Sequence, residues 1–459
     1  MKKFYLPKFI PLVIFLSIAG TQTRASVNPV LDSALQHCLD SLLVEYGLKG
    51  MTAAAYIPGQ GMWQGVAGVS HDTVPIDSNM ILSMGSITKT YISAEIFKLI
   101  EAGQLTLDDT IGSLLPPMDY VRGDIKIRNL LGHRSGLAEY LGIDWQNAML
   151  ADPYRIWSGA EALDSFLTPA TGVPGSGYVY RNTNYALLGM IIESLTGDSL
   201  HHVLRNNFFT PFNLDDTYMY VFDTYTNPVP HMWSAPNFDP NFATDEWATP
   251  RVSASSSTSA AGGLYATAED LAWWGYNLYS GNVISDSSIA AMTTFYSVAA
   301  SYYNGYGLGC MRFPYGGRNY WGHAGNFWGY AAAMMYYPQD SISVGALMNI
   351  DCYSINATRP LMHLIVNSLI TKIESYNESH SIEIYPNPVS SQLTVDSRQY
   401  TINQLSIYNM LGEKILSLDQ SNDSKVQQFN IDVSGFRAGI YYVSIETEKG
   451  IVTQKIIRQ

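Results

Sequence analysis

Apolar and polar residues along the first 375 positions alternate with helical and strand-like periods. An amphipathic helix pattern over Pro29 to Tyr46 precedes two strand-like runs, MTAAAYIP and GMWQGVAGVS, which are joined by a glycine-containing turn. A second helix is predicted to begin at Ser86 and to end at Gly103, because glycine commonly ends a helix. Helical patterns fill roughly residues 125 to 290, and apolar strands return in YGLGCMRFP, NYWGHAGNFWGYAAAMMYYP and ISVGALMNI.

This order of elements predicts one sheet built from distant parts of the chain. Strands at both ends with helices between them are typical of a sheet flanked by helices that carries an inserted helical domain. A cleft between two such parts is the usual place for a binding or catalytic site.

The pattern changes near residue 375, where the polar run KIESYNESHS leads into short alternating strands. These strands are separated by turn signals such as PNP, LGE and EKG, and about 80 residues of this kind predict a small all-β sandwich. The predicted domains are residues 26–375 and residues 376–459.

The chain opens with a pattern typical of a signal peptide. A basic start is followed by an apolar run from Phe9 to Gly20 and by small residues before a predicted cleavage after Ala25. The apolar run is too short to span a membrane, which takes about 20 residues. Residues 1–25 are therefore predicted to be a leader, and the mature protein is expected to be exported without a transmembrane segment.

Charge and metal-binding residue types exclude several classes of function. The net charge is −13 and becomes more negative once the basic leader is removed, which argues against nucleic acid as a partner. The cysteines Cys38, Cys310 and Cys352 allow at most one disulfide bond, and their pairing stays open. The nine histidines show no HxxxH or HxH spacing, so we predict no metal site and no cofactor.

The stretch GSITKT places Ser86 and Lys89 three residues apart at the predicted start of a helix. Residues at this spacing are neighbours on one helix face, so the ammonium group can approach the hydroxyl. A serine hydroxyl is a poor nucleophile until a base accepts its proton, and a lysine can do so only if burial or a nearby cation lowers its pKa. The pattern alone is weak, and it predicts catalysis only if partner groups exist.

Two further stretches supply candidate partners. In GYVYRNTNYALLGM, Tyr180 offers a phenol that could take the Ser86 proton, and Asn182 offers a carboxamide for Lys89 or for a substrate carbonyl. In GHAGNFWG, His323 and Gly325 lie in an apolar strand where the missing side chain of glycine permits close backbone approach. A substrate could lie along the edge of that strand.

The motifs SxxK at 86–89, YxN at 180–182 and HxG at 323–325, in this order, resemble those of the serine β-lactamase and penicillin-binding-protein superfamily. The similarity runs from about residue 30 to 370 and is closest to the branch of class C β-lactamases, DD-peptidases and related esterases. It implies an α+β fold of the β-lactamase/transpeptidase type. It also implies an acyl-enzyme mechanism, and the residues with implied roles are Ser86, Lys89 and Tyr180 as catalytic groups and Asn182, His323, Gly325 and Asn326 as substrate-binding groups. The backbone N–H groups of Ser86 and Asn326 would hold the oxyanion.

One departure from the family pattern concerns the substrate. Many relatives have KTG where this chain has His323, Ala324 and Gly325, so a lysine and a threonine hydroxyl that recognise a carboxylate are missing. A site that lacks such partners loses much of its preference for a carboxylate substrate, and an efficient β-lactamase is not expected. Arg181 is either a replacement cation or a solvated arginine. His133 is interpreted as structural.

The last 79 residues resemble the C-terminal sorting domain of proteins exported by the type IX (Por) secretion system. The resemblance rests on YPNP, NMLGEKI and SGFRAGIYYVSI. It implies an export address that does no chemistry, with the type IX machinery as partner and the cell surface or the medium as destination. A carbohydrate-binding or structural β-sandwich is the alternative.

The combined interpretation is an exported serine hydrolase that cleaves an ester or amide of a small molecule or peptide through a Ser86 acyl-enzyme. D-alanyl-D-alanine carboxypeptidase, or a weak class C-like β-lactamase, is the alternative enzyme function. A non-catalytic surface-binding protein is a third hypothesis, against which the retained Ser86, Lys89, Tyr180 and Asn182 speak. The aromatic-rich stretch 231–247 either walls the pocket or is ordinary loop packing.

Overall fold

The computed structural model describes residues 27–235, 244–245, 251–378, 382–397, 401–409, 414–419, 428–447 and 450–459. The predicted leader, residues 1–25, and most of the aromatic-rich stretch 231–247 lie outside these residues, so both interpretations stay predictions.

Helices make up much of residues 27–378. The α-helices within the described ranges are α1 (Pro29–Glu45), α2 (Thr88–Glu101), α3 (Ile111–Leu114), α4 (Ile127–Leu131), α5 (Ile143–Ala151), α6 (Gly159–Phe166), α7 (Asn182–Thr196), α8 (Leu200–Leu204), α9 (Arg251–Thr258), α10 (Ala268–Tyr279), α11 (Asp286–Met292) and α12 (Ser354–Glu378). Short 3₁₀ helices at Gly85–Ile87 and Ser259–Ala261 and a π-helical turn at Arg205–Phe209 accompany them.

The strands of the described residues belong to two regions, residues 27–378 and the C-terminal region after α12. Those in the first region are β1 (Gly50–Ile57), β2 (Gly61–His71), β3 (Val74–Pro75), β4 (Leu82–Ser83), β5 (Thr217–Met219), β6 (Trp233–Ser234), β7 (Thr244–Asp245), β8 (Leu264–Ala266), β9 (Tyr296–Ser297), β10 (Gly305–Tyr306), β11 (Met311–Tyr315), β12 (Arg318–Phe327), β13 (Tyr330–Tyr337) and β14 (Ile342–Met348). Those that follow are β15 (Glu383–Tyr385), β16 (Gln392–Asp396), β17 (Ile402–Asn409), β18 (Lys414–Asp419), β19 (Gln428–Asp432), β20 (Gly439–Thr447) and β21 (Gly450–Arg458).

A nine-stranded antiparallel sheet with the order β3-β2-β1-β14-β13-β12-β11-β10-β9 unites the two ends of the first region. The closing pair is β1 with β14, in the register Ala53 opposite Ala346. Side chains alternate along the strands, so that Ala331, Ala333 and Met335 of β13 pack towards α1 and α12 while its intervening residues pack towards α10. The predicted sheet of distant strands, its flanking helices and the helical insertion are confirmed.

The SxxK motif at residues 86–89 lies at the start of a helix, as the sequence predicts. A 3₁₀ turn at Gly85–Ile87 leads into α2, and Gly103 just beyond that helix has a φ of +69°. Residues 182–292 contribute α7 to α11, which form most of the helical part on the α10 face of the sheet.

Two small sheets follow α12, with the orders β15-β16-β19 and β18-β17-β20-β21. Buried residues such as Leu393, Leu405 and Val443 form a core that these sheets share, which makes the region the all-β unit that the sequence predicts. The helix α12 continues to Glu378, so the predicted domain boundary after residue 375 falls inside this helix. None of the helices in the described part of the chain combines the length and the apolar character that crossing a membrane requires.

Candidate active site

Close backbone contact joins the turn that carries Ser86 to the strand β12. A Cβ atom on Gly325 would lie 2.0 Å from the Met84 carbonyl oxygen and 3.0 Å from the Ser86 nitrogen. Gly85 has a φ of +48°, and a Cβ there would lie 2.9 Å from the Asn326 nitrogen. Only glycine fits such spacing and such a backbone conformation. The backbone nitrogens of Ser86 and Asn326 therefore lie on the two sides of this close contact between the Ser86 turn and β12.

Lys89 is fully buried and contacts three acceptors from three segments of the chain. Its Nζ lies 2.9 Å from Ser86 Oγ, 2.9 Å from Asn182 Oδ1 and 2.6 Å from the carbonyl oxygen of Ala261. Burial lowers the pKa of Lys89 to about 7, although the negative charge of Glu139 acts in the opposite direction and raises this pKa. A substantial fraction of the amine is therefore neutral at physiological pH.

These contacts fix the orientation of the neutral amine. A carboxamide oxygen and a backbone carbonyl only accept hydrogen bonds, so Asn182 Oδ1 and the Ala261 oxygen take the two hydrogens of an NH₂ group. The lone pair of Lys89 then faces Ser86 Oγ, which can donate its proton. When the amine is protonated, the third hydrogen points at Ser86 Oγ instead.

Glu139 is a residue of the site that sequence reasoning missed. This half-buried carboxylate accepts hydrogen bonds from the Asn182 backbone N–H at 2.8 Å and from Asn182 Nδ2 at 3.3 Å. Because a carboxylate only accepts, it holds the amide nitrogen of Asn182 towards itself and the oxygen towards Lys89. Glu139 lies 43 positions before Asn182 and belongs to none of the three sequence motifs.

Tyr180 lies beside the Ser86–Lys89 pair. Its ring centroid is 5.1 Å from Lys89 Nζ, and its Oη has no well-formed hydrogen bond to any described residue. Burial raises the pKa of Tyr180 well above its usual range, although the neighbouring Ser86 hydroxyl acts in the opposite direction. The group is thus a neutral phenol at physiological pH, suited to donating a proton rather than to accepting the first one.

His323 points into the protein and is fully buried. Its Nε2 lies 3.1 Å from Tyr306 Oη, and its Nδ1 lies 2.6 Å from the Ala324 oxygen, which requires the proton on Nδ1. Burial, together with the charge of Lys89, lowers the pKa of His323 to about 3. The side chain is therefore a neutral acceptor for Tyr306, and what β12 offers a substrate at this point is backbone.

His133 and Arg181 have specific contacts behind the site. Tyr306 Oη also lies 3.0 Å from His133 Nε2, while His133 Nδ1 accepts the backbone N–H of Arg181 at 3.1 Å. The Arg181 guanidinium donates to the backbone oxygens of Leu137 and Tyr180, at 3.3 and 3.1 Å. Arg181 is therefore neither fully solvated nor aimed at the site, and His133 supports the segment that carries Tyr180.

The cysteines and the other metal-binding residue types are the candidates for a disulfide bond or a metal site. All three cysteines are free thiols. Within the described ranges no three His, Cys, Asp or Glu side chains are grouped as a metal site would require.

Comparison with known proteins identifies two regions. The Beta-lactamase family matches residues 31–355, and the Secretion system C-terminal sorting domain matches residues 383–459. The second match indicates export to the cell surface or the medium.

Curated relatives match only part of their own length. Penicillin-binding protein 4 of Amycolatopsis lactamdurans is 28% identical over 190 residues, which are 39% of this chain and 47% of that protein. A putative D-alanyl-D-alanine carboxypeptidase of Escherichia coli (strain K12) is 28% identical over 153 residues, 31% of this chain and 35% of that protein. The chain thus spans less than half the length of these two relatives.

Solved structures match more completely. A D-stereospecific amidohydrolase from Streptomyces sp. has a TM-score of 0.60 and 27% identity, covering 69% of this chain and 94% of that one. The D-amino acid amidase from Ochrobactrum anthropi SV3 has a TM-score of 0.65 and 22% identity, covering 76% and 100%, and shows the shared fold. With the family match extending over most of its length and the fold shared with these hydrolases, the chain belongs to the Beta-lactamase family.

Proposed function

We propose that the protein is a serine hydrolase that cleaves an ester or amide bond through an acyl-enzyme on Ser86. The buried Lys89 carries this proposal, because its lone pair is directed at Ser86 Oγ by two neighbouring acceptors. A pKa of about 7 makes Lys89 an effective base at neutral pH. A binding protein without catalysis would gain nothing from a buried amine, whose desolvation costs stability.

In the proposed reaction Ser86 Oγ attacks the substrate carbonyl carbon while its proton passes to Lys89. The backbone N–H groups of Ser86 and Asn326 stabilise the oxyanion, each such donor being worth about 3 kcal/mol in similar sites. Collapse of the tetrahedral intermediate breaks the bond to the leaving group, which takes a proton from Tyr180, and Lys89 returns a proton to the phenol. Water then attacks the acyl-enzyme by the same route and regenerates Ser86.

The similar proteins support a proposal for the substrate class. The Streptomyces protein is a D-stereospecific amidohydrolase, and this chain covers 94% of its structure at 27% identity. We therefore favour amides and esters of D-amino acids or short peptides. The carboxypeptidase name of curated relatives supports D-alanyl-D-alanine peptides as the second candidate.

We further propose that residues 376–459 direct the protein to the type IX secretion machinery, after a signal peptide at residues 1–25 has led it across the inner membrane. The C-terminal sorting-domain match supports this route. An enzyme exported in this way acts outside the cell, away from periplasmic peptidoglycan, which favours external amides and esters over cell-wall synthesis.

The test is covalent labelling of the full-length protein with a fluorophosphonate and, separately, with a fluorescent penicillin. Ser86→Ala should abolish labelling and lower turnover by at least about 10⁴-fold, while the melting temperature changes by less than about 2 °C. The exposed Ser113, changed to alanine, is the matched control. Turnover that survives in Ser86→Ala would refute the assignment, and labelling by fluorophosphonate alone would favour the ester and amide interpretation over a penicillin-recognising peptidase.

A further inference from the structure

Tyr180, the proposed proton donor, is held in place by His133 and not by its own hydroxyl group. The Tyr180 Oη has no well-formed hydrogen bond to any described residue. Both neighbouring backbone N–H groups bind His133 instead, since Val179 donates to its carbonyl oxygen at 2.9 Å and Arg181 to its Nδ1 at 3.1 Å. The Tyr180 ring also packs on the imidazole, with centroids 4.1 Å apart. The position of the phenol therefore depends on the position of His133.

The hydrogen-bond partners of His133 determine which of its ring nitrogens carries the proton. Burial lowers the pKa of His133 well below its usual range, so the ring is neutral. A backbone N–H can only donate, so Nδ1 accepts from Arg181, and Asn184 Nδ2 lies 3.0 Å from the same nitrogen. The proton therefore lies on Nε2, which donates to Tyr306 Oη at 3.0 Å.

His323 fixes the other end of this chain of hydrogen bonds. Its Nδ1 donates to the Ala324 oxygen, so its Nε2 offers a lone pair, 3.1 Å from Tyr306 Oη. The Tyr306 hydroxyl has one proton, and Nε2 of His323 can only accept it. These two bonds form a bridge from His133 through Tyr306 to His323, in which the direction of each hydrogen bond is determined.

The bridge connects the helical part of the protein to the sheet. His133 lies just after α4, Tyr306 in β10 and His323 in β12, and all three side chains are fully buried. The Tyr180 ring lies 6.1 Å from the Tyr306 ring and 6.3 Å from that of His323, so it lies beside every member of the bridge. β12 also carries the Asn326 N–H group that would hold the oxyanion. The bridge therefore ties the proton donor to the strand at which the substrate carbonyl would bind.

We infer that Tyr306 is a positioning residue of the proposed reaction. Its hydroxyl, by bridging His133 and His323, keeps the phenol of Tyr180 aligned with the substrate. The inference rests on the proposed function, because it concerns the proton donor of that same reaction. Tyr306→Phe keeps the ring but leaves the His133 N–H and the His323 lone pair buried without a partner, which is unfavourable. Both imidazoles are then free to shift, and a displacement of about 1 Å in a catalytic group can lower the rate about 100-fold.

The test compares two substrates that differ in their need for a proton donor. These are N-acetyl-D-alanine anilide, whose nitrogen must be protonated to leave, and the p-nitrophenyl ester of the same acid, whose phenolate leaves without a proton. For both substrates kcat/KM of the full-length protein reports on acylation. Tyr306→Phe should lower kcat/KM about 100-fold for the anilide and much less for the ester, whereas a general disturbance of the structure would lower both alike.

Two further variants complete the comparison. Tyr279→Phe is the matched control, because it removes a buried hydroxyl that donates to Cys310 Sγ at 3.3 Å outside the bridge, and it should cleave both substrates like the wild type. Tyr180→Phe should show the same selective loss for the anilide, and in this background Tyr306→Phe should have little further effect. Equal losses for the anilide and the ester, or losses from Tyr180→Phe and Tyr306→Phe that simply multiply, would overturn the inference and leave the hydrolase intact.

The bridge itself can be tested without reference to activity. In protein labelled with ¹⁵N-histidine, nuclear magnetic resonance at neutral pH should show two neutral rings whose signals respond to Tyr306→Phe, one protonated at Nε2 and the other at Nδ1. Two rings protonated at Nε2, or no signal that responds, would refute the bridge. If no substrate is cleaved and no probe labels Ser86, the proposed function falls, and the role of Tyr306 falls with it.

Discussion

Replacing Lys89 by methionine should abolish activity and also change how the stability of the protein depends on pH. The amine is fully buried, and its pKa is lowered to about 7 in the folded protein, compared with 10.5 for the exposed side chain. Between these values the unfolded chain binds a proton that the folded protein does not. Stability therefore rises with pH in this window, and the rise should be missing in Lys89→Met.

The size of the effect follows from the two pKa values. When the unfolded chain binds one proton more than the folded protein, the free energy of unfolding changes by about 1.4 kcal/mol for each pH unit. Allowing for partial titration near pH 7, the wild type should gain about 2 kcal/mol relative to Lys89→Met between pH 7 and pH 9. Groups that do not sense the charge of Lys89 titrate alike in both proteins and cancel in the comparison, and His323, whose folded-state pKa is about 3, stays neutral in the folded protein throughout this pH range.

The assay is urea unfolding at pH 7, 8 and 9, followed by tryptophan fluorescence. All nine tryptophans precede residue 376, so this signal reports on the region that contains the site. Ser86→Ala, which keeps the amine, is the control and should follow the wild type. A free-energy difference between wild type and Lys89→Met that stays constant from pH 7 to pH 9 would refute a buried amine with a lowered pKa.

Two further substitutions test the surroundings of Lys89 and Ser86. The wild-type kcat/KM should fall as pH drops below about 7, where Lys89 takes up a proton. Glu139→Gln should move this fall to lower pH, because the charge of Glu139 raises the pKa of Lys89. Glu139→Asp keeps the charge and is the control. A shift of the fall to higher pH in Glu139→Gln would contradict the assignment. Gly325→Ala should reduce kcat by about 100-fold and destabilise the protein by about 1–3 kcal/mol, because its Cβ would lie 2.0 Å from the Met84 oxygen. Gly142→Ala, at a site with open space, should be nearly neutral when kcat and urea unfolding are measured in the same way. Equal effects of Gly325→Ala and Gly142→Ala would contradict the proposed contact.

Much of the fold could be predicted because its elements carry strong local patterns. The helix over Pro29–Glu45, the hairpin of β1 and β2 and the start of α2 after Ser86 all follow the predicted positions within a few residues. Alternation of apolar residues also located β12 to β14. These elements are defined by side chains that the sequence displays directly.

The polar network of the site could be predicted only in part. Ser86, Lys89 and Asn182 are brought together as expected, since each belongs to a recognisable motif. Ala261 contributes a backbone oxygen, which any residue could supply, so nothing in its side chain signals the contact. Glu139 acts through a contact that depends on how two loops pack, and the neutral state of Tyr180 depends on burial, which spacing along the chain does not determine.

The pairing of β1 with β14 has a consequence for how the protein is made. Opposed residues such as Ala53 and Ala346 are about 290 positions apart, so the central hairpin has no neighbour on one side until the chain has been synthesised past β14. Contacts of such long sequence separation form slowly and leave strand edges exposed to aggregation in the meantime. A truncated chain that ends before β14 should therefore fail to complete its sheet, and an exported precursor with this topology depends on protection of its early strands until β14, which ends at residue 348 of 459, has been synthesised.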